Sequence, residues 1–281
     1  MGAAFIALVV GTIVLFSCSN QIKPETYYLQ DQNKGDQIQE KINVPGIRTV
    51  HVFVALCDNK YQGIVPVGKA IGNGQDPATN LYWGCDNGVK TYFKKKTSDW
   101  TLIQTRAKVS DTILDRLLFK HKTQNVYLLA DAYNGKFIKE TTIDFLNAAS
   151  GYNSKEIIYG EDSLYFGGSS NLIAYVGHDG LMDFKLPMQK PSANSRKRET
   201  IILACYSQYF FSPHIKISGA TPMLWTSNLM APEAYTLHDA LREWVVNKNP
   251  EQIRLAAAQA YSKYQNCSLK AAKNLLISGW K

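Results

Sequence analysis

The chain has 281 residues, 45% of them apolar, which is long enough and apolar enough to bury a substantial core and excludes a disordered segment. The net charge is +8, but only Lys94-Lys95-Lys96 and Arg196-Lys197-Arg198 are dense basic runs, and neither is interleaved with aromatics, so no nucleic-acid partner is expected. The five cysteines form no CxxC pair and no His/Cys cluster with metal spacing, so neither a metal nor another cofactor is expected.

Residues 3–16 form an apolar run too short to span a bilayer, which takes about 20 residues, but suited to the hydrophobic region of an export signal. The run ends in Leu15-Phe16-Ser17-Cys18, which resembles the lipobox of bacterial lipoproteins. That resemblance implies a signal peptide over residues 1–17 and lipidation of Cys18. It also implies a protein held to the membrane at the bacterial cell envelope by a lipid anchor. Residues 18–44, rich in Gln, Asn, Asp and Lys, read as a polar linker, and residues 45–281 as one domain. With Cys18 set aside, Cys57, Cys85, Cys205 and Cys267 are even in number, enough for two disulfides in an oxidising compartment.

Residues 49–56 (TVHVFVAL) open the domain with a two-sided apolar run of the kind found in parallel strands buried on both faces. The glycine-rich stretch 63–74 lacks the phosphate-loop and dinucleotide spacings and reads as a connecting loop that can line a site. Leu81, Cys85, Val89 and Phe93 recur at helical spacing, as do Ile113, Leu114, Leu117 and Leu118 after a cap at Ser110. Residues 125–132 (NVYLLADA) predict a strand, and Phe137, Thr141, Phe145 and Ala148 a helix. Strands follow at 171–176 (NLIAYV), 200–204 (TIILA) and 222–225 (PMLW). Leu237, Ala240, Leu241, Trp244 and Val245 then mark an amphipathic helix, and two more begin at Asn249-Pro250 and Ser268. The alternation predicts an α/β fold: a mostly parallel sheet with helices on both faces.

Two strand ends carry the chemistry. In NLIAYVGHDG the apolar run 171–176 leads into His178, and in TIILACYS the run 200–204 leads into Cys205. If these strands are parallel neighbours, a thiol and an imidazole leave the sheet at one edge. A thiol must lose its proton to attack a carbonyl, and an adjacent imidazole takes or shares that proton.

These two blocks resemble the signature of the caspase-like (clan CD) cysteine peptidases, in which one apolar block ends in His-Gly and the next in Ala-Cys. The gingipain variety is nearest, since residues 221–234 (TPMLWTSNLMAPEA) follow a similar outline; the resembling pieces cover about residues 164–246. The resemblance implies a caspase-like three-layer sandwich acting on a peptide or protein substrate. Cys205 is then the nucleophile and His178 the general base or acid, with backbone N–H groups of Gly180 and Cys205 at the oxyanion. It also implies substrate contacts from Trp225 and from Asp58 at the end of the first strand, where a carboxylate favours a Lys or Arg side chain. The basic loop 185–199 is a self-cleavage site under that specificity. Here Asp179 stands between His178 and Gly180, where the family has glycine directly after histidine. His51 and His121 read as structural, and His214 as a reserve partner nine positions after Cys205. The alternative is a catalytically inactive envelope lipoprotein that keeps the sheet as a binding module, marked by a disulfide from Cys205 to Cys57 or Cys267. A third reading is another hydrolase or transferase using the same thiol on a cell-wall peptide.

Overall fold

The computed structural model describes residues 43–192 and 196–280. The signal 1–17, Cys18 and all but the last two residues of the linker 18–44 lie outside the described residues, as do positions 193–195 of the basic loop. β1 (Arg48–Ala55) is followed by a long looped segment, α1 (Val89–Phe93), β2 (Trp100–Ala107), β3 (Ile113–His121), β4 (Val126–Tyr133) and α2 (Ile138–Ala149). A hairpin of β5 (Lys155–Tyr159) and β6 (Asp162–Phe166) precedes β7 (Leu172–Val176) and β8 (Glu199–Leu203). Then come α3 (Ser207–Ser218), β9 (Thr221–Thr226), α4 (Ala234–Val245), α5 (Pro250–Gln265), α6 (Leu269–Leu275) and the two-residue β10 (Leu276–Ile277).

Eight strands form one sheet in the order β10-β9-β8-β7-β1-β4-β3-β2. The five from β9 to β4 run parallel, while β10, β3 and β2 are antiparallel additions at the margins. Numbered along the chain, the parallel strands lie in the order 2-1-3-4-5, so the direction of sheet growth reverses between β1 and β7. Ligands of open α/β sheets bind beyond the carboxyl ends of strands at such a reversal.

Alternation of side chains explains the three layers. Val50, Val52, Val54, Ala174, Val176, Ile201 and Leu203 point to one face, packed with residues of α1, α4 and α5. Phe53, Ala55, Tyr175, Ile202 and Ala204 point to the other, packed with α2 and α3. Each fully buried Val, Leu, Ile or Phe contributes about 1.5–3 kcal/mol, so both faces must be covered, as the expected α/β architecture requires. Helix signals match their elements where local chemistry is explicit. Asn249 and Gln252 close a capping box with Pro250 in the first turn of α5, and Ser268 accepts the Ala271 N–H at the start of α6.

Two expected helices differ. Residues 113–121 are the strand β3, hydrogen-bonded to β2 on one side and β4 on the other. Leu117 and Leu118 pack into clusters on opposite faces of the sheet, so a period of two replaces the apparent helical spacing. In residues 81–93 only Val89–Phe93 is helical, because the Asn80 carbonyl gathers the N–H groups of Trp83, Gly84 and Cys85 into tight turns. At the far edge, β2 carries a register shift between Leu102 and Gln104 and exposes Thr101, Thr105 and Arg106.

The α2 side of the sheet buries a charged knot. Asp131 on β4 takes Arg116 Nε at 2.5 Å and Nη2 at 2.8 Å from the register-paired position on β3, and Lys155 Nζ of β5 at 3.2 Å. His51 Nδ1 accepts the Gly167 N–H, so Nε2 carries the ring proton and donates to Asp131 Oδ2 at 3.2 Å. Burial alone would raise the Asp131 carboxyl; hydrogen bonds from Arg116 and His51 and the Lys155 charge drive it well below the ordinary carboxylate range. The knot ties the β5–β6 hairpin to the sheet. His121 Nδ1 accepts the N–H groups of Thr123 and Gln124 and closes the β3–β4 turn. Asp131→Ala strands Arg116 without its partner, so urea unfolding is expected to show a loss of about 3–5 kcal/mol; a loss under about 1 kcal/mol would mean that the knot is not compensated by this carboxylate.

His214 on α3 is buried, its Nδ1 without a partner among the described residues, and burial pushes its ring down to about 4. An unfolded ring takes up its proton near 6.5, so this group's contribution is intact above that pH and is lost as pH falls towards 4. His214→Leu is therefore expected to gain stability relative to the wild type as pH falls from 6.5 to 4, at up to about 1.4 kcal/mol per unit. A difference that stays constant across urea titrations in that range would refute it.

Candidate functional site

β7 and β8 pair in parallel with Val176 opposite Leu203, and the Gly177 N–H continues the ladder to the Leu203 carbonyl. One step on, His178 and Cys205 leave neighbouring strands at the same carboxyl edge. Gly177 has φ +142°, and a Cβ there would lie 2.6 Å from the Ala55 carbonyl of β1, so glycine alone lets the chain turn out of the sheet here.

Cys205 sits on a strand-to-helix elbow. Tyr206 adopts a left-handed conformation (φ +50°), unusual for a bulky residue, and is held by its N–H to the Asn228 carbonyl. Ser207 opens α3 with its hydroxyl on the Ile202 carbonyl and its N–H on Thr226 Oγ1. Strained backbone locked by its surroundings is a recurrent way of presenting a nucleophile at a sheet edge. The sulfur accepts the Met230 N–H at 3.4 Å and lies 3.6 Å from the Met230 carbonyl, in the loop between β9 and α4. Burial pushes the thiol up, the Met230 N–H pulls it down, and the Asp179 charge raises it further.

His178, 6% exposed, places Nε2 2.7 Å from Asp183 Oδ2, and the same oxygen accepts the Gly63 N–H at 3.1 Å. An Nε2–H donated to a carboxylate leaves Nδ1 as the ring's lone pair, and no described residue hydrogen-bonds to it. No hydrogen bond joins the Cys205 sulfur to the imidazole; the two groups share an edge and a register, and each is held by its own loop. In the sequence Asp183 is only one of several nearby carboxylates. Its signal is local: Asp179 caps the short turn at Gly180–Met182 through the Leu181 N–H, which returns the chain five residues on towards His178.

The remaining expected residues divide. Gly180 opens the short turn Gly180–Met182, where its carbonyl accepts the Asp183 and Phe184 N–H groups, and the Tyr175 hydroxyl donates to the His178 carbonyl at 2.7 Å. Asp58 is 2% exposed; its carboxylate accepts the N–H groups of Lys60 and Tyr61 and the Gln75 amide, so it holds its own loop together. Trp225 is 1% exposed, lies on the α3 face opposite the Cys205 side and packs edge-on against Trp280. His214 belongs to that same α3 side and makes no hydrogen bond to the sulfur. The glycine-rich segment is a loop, as expected, and reaches the site through Gly63. Along the same edge, beyond β4, a cleft of about 670 Å³ is lined by Tyr61, Gln75, Lys108, Asp111, Lys136 and Phe137.

Cys57, Cys85, Cys205 and Cys267 are all free thiols, so neither the two disulfides that four cysteines allow nor the Cys205 disulfide of the inactive alternative is formed. For Cys57 and Cys205 the reason is geometric: they follow β1 and β8, which flank β7, so two strand spacings of about 4.8 Å separate them, beyond disulfide reach. Among the described residues no group of three or more His, Cys, Asp or Glu is placed to hold a metal, and no helix is long and apolar enough to cross a membrane. The chain matches no model of a known protein family, no curated protein and no solved structure.

A Cβ at position 63 would lie 2.3 Å from Asp183 Oδ1, so in Gly63→Ala the Asp183 side chain must shift, and its contact with His178 is expected to weaken. In the wild type, imidazole ¹⁵N shifts of neutral His178 are expected to report the Nε2–H form, and in Gly63→Ala a mixture of both tautomers. Identical spectra would show that Gly63 does not set this contact.

Proposed function

We propose that the chain is a caspase-like cysteine peptidase of the bacterial cell envelope, with Cys205 as nucleophile, His178 as base and acid, and Asp183 orienting the ring. The observation that carries this reading is the 2.7 Å contact from His178 Nε2 to Asp183, made at the end of the strand that pairs with the Cys205 strand. A base held by a third group beside a thiol is the arrangement nucleophilic acyl transfer needs, and apo enzymes often keep the nucleophile–base contact loose.

In the proposed reaction the Cys205 proton passes to His178 Nδ1 as sulfur bonds to the substrate carbonyl carbon. The C–N bond then breaks with that proton going to the leaving amine. Water attacks the resulting thioester and restores the thiol. The Met230 N–H, now on the sulfur, and the Cys205 N–H are the donors proposed for the oxyanion. Gly180, at the start of the turn after His178, is a third proposed donor. The cleft beyond β4 offers room for the flanking peptide. The envelope placement and the lipid on Cys18 rest on Leu15-Phe16-Ser17-Cys18.

A second reading, an inactive envelope lipoprotein that uses the sheet as a binding module, draws support from the burial that raises the thiol and from Asp179 beside the histidine. A panel of acyloxymethyl ketone peptides separates the two. Cys205 is expected to be labelled covalently, with labelling abolished in Cys205→Ala and His178→Ala and slowed on the order of a hundredfold in Asp183→Asn. Folded protein that no member of the panel labels belongs to the second reading.

A further inference from the structure

The turn that carries Asp183 also buries a carboxyl that the proposed reaction does not use. Asp179 is 0% exposed; its Oδ1 accepts the Leu181 N–H at 2.9 Å, and its Oδ2 has no hydrogen-bond partner among the described residues. It follows His178 directly, at the register step where Cys205 leaves β8. The titratable groups around it are His178 directly before it, Asp183 on its own turn, Tyr175 on β7 and Cys205 at the end of β8, and no Lys or Arg among the described residues offsets its charge. An ionised carboxylate in that position lacks a counter-charge, and water does not reach it. Burial, opposed only by the Leu181 N–H, accordingly pushes the carboxyl up to about 7, with Asp183 adding to the rise.

We infer that Asp179 is a positioning residue for the Cys205 thiol: it keeps a proton on its unpartnered oxygen, and on losing it places a negative charge that opposes the thiolate. The inference rests on the reading of Cys205 as the reactive thiol. The residue inserted between His178 and Gly180 would then damp the rise of thiolate with pH once the carboxyl ionises.

The test is the rate of Cys205 alkylation by iodoacetamide in the full chain, read on the Cys205 peptide by mass spectrometry at about pH 6 and about pH 8. Asp179→Asn keeps the shape and removes the charge. It is expected to react at the wild-type rate at the lower pH, where the wild-type carboxyl is neutral, and about threefold faster at the higher. An equal ratio at both pH values overturns the inference, since a merely loosened turn accelerates both alike. If that variant does not fold, Asp179→Ser, which also removes the charge, is compared with the wild type at the same two pH values, and an equal ratio again overturns the inference. A pH-dependent ratio without ketone labelling removes the peptidase and keeps the pairing. Labelling with a flat ratio does the reverse.

Discussion

Hydrogen bonds between β7 and β8 place the candidate chemistry. In a parallel ladder a slip of one residue sends every side chain to the opposite face, so pairing Val176 with Leu203 also determines which way Cys205 leaves the sheet. Both paired residues pack under α4 and α5 while Tyr175 and Ile202 pack on the α2 and α3 side, so a slip would drive mismatched side chains into two close-packed layers. Hydrophobic burial along the whole sheet therefore enforces the alignment of two groups at its rim. Gly177 completes the arrangement by letting the chain pass against Ala55 of β1 before it turns towards Asp183.

Two buried acids show opposite electrostatic designs in one molecule. Asp131 is surrounded by Arg116, His51 and Lys155, each with a hydrogen bond to it, and is held ionised. Such a group fastens one element to another. Asp179 has a single N–H donor and a second carboxylate nearby, so its environment favours the neutral form. Under-compensated ionisable groups cluster where chemistry is done, and this one adjoins the neighbouring strand ends that carry His178 and Cys205.

The parallel strands are readable in the sequence because residues buried on both faces leave a dense run of Val, Ile, Leu and Ala that no surface helix shows. α2, α4, α5 and α6 are readable from their stripes or caps. β3 misleads because Ile113, Leu114, Leu117 and Leu118 satisfy a helical period by chance, and only pairing with β2 and β4 reveals the alternation. α3 escapes notice because Pro213 lies inside it and its buried side is short. At the site, the sequence carries His178 and Cys205, each at the end of an apolar run. It does not carry the Asp183 contact, which depends on a capped turn and on a loop arriving from over a hundred residues earlier at Gly63. Cys57 and Cys205 look free to pair in one dimension, and only the interposed β7 separates them.

The margins of the sheet govern how the molecule meets copies of itself. An open sheet ends in unsatisfied N–H and C=O groups that recruit strands from neighbours and seed aggregates. Here β10 is two residues long, too brief to template an ordered addition. At the opposite margin, the offset between Leu102 and Gln104 in β2 breaks the spacing a foreign strand would need, and Arg106 adds like-charge repulsion between approaching chains. A parallel core is slow to assemble because its contacts are distant in sequence, so these blunted borders guard it while it is still incomplete.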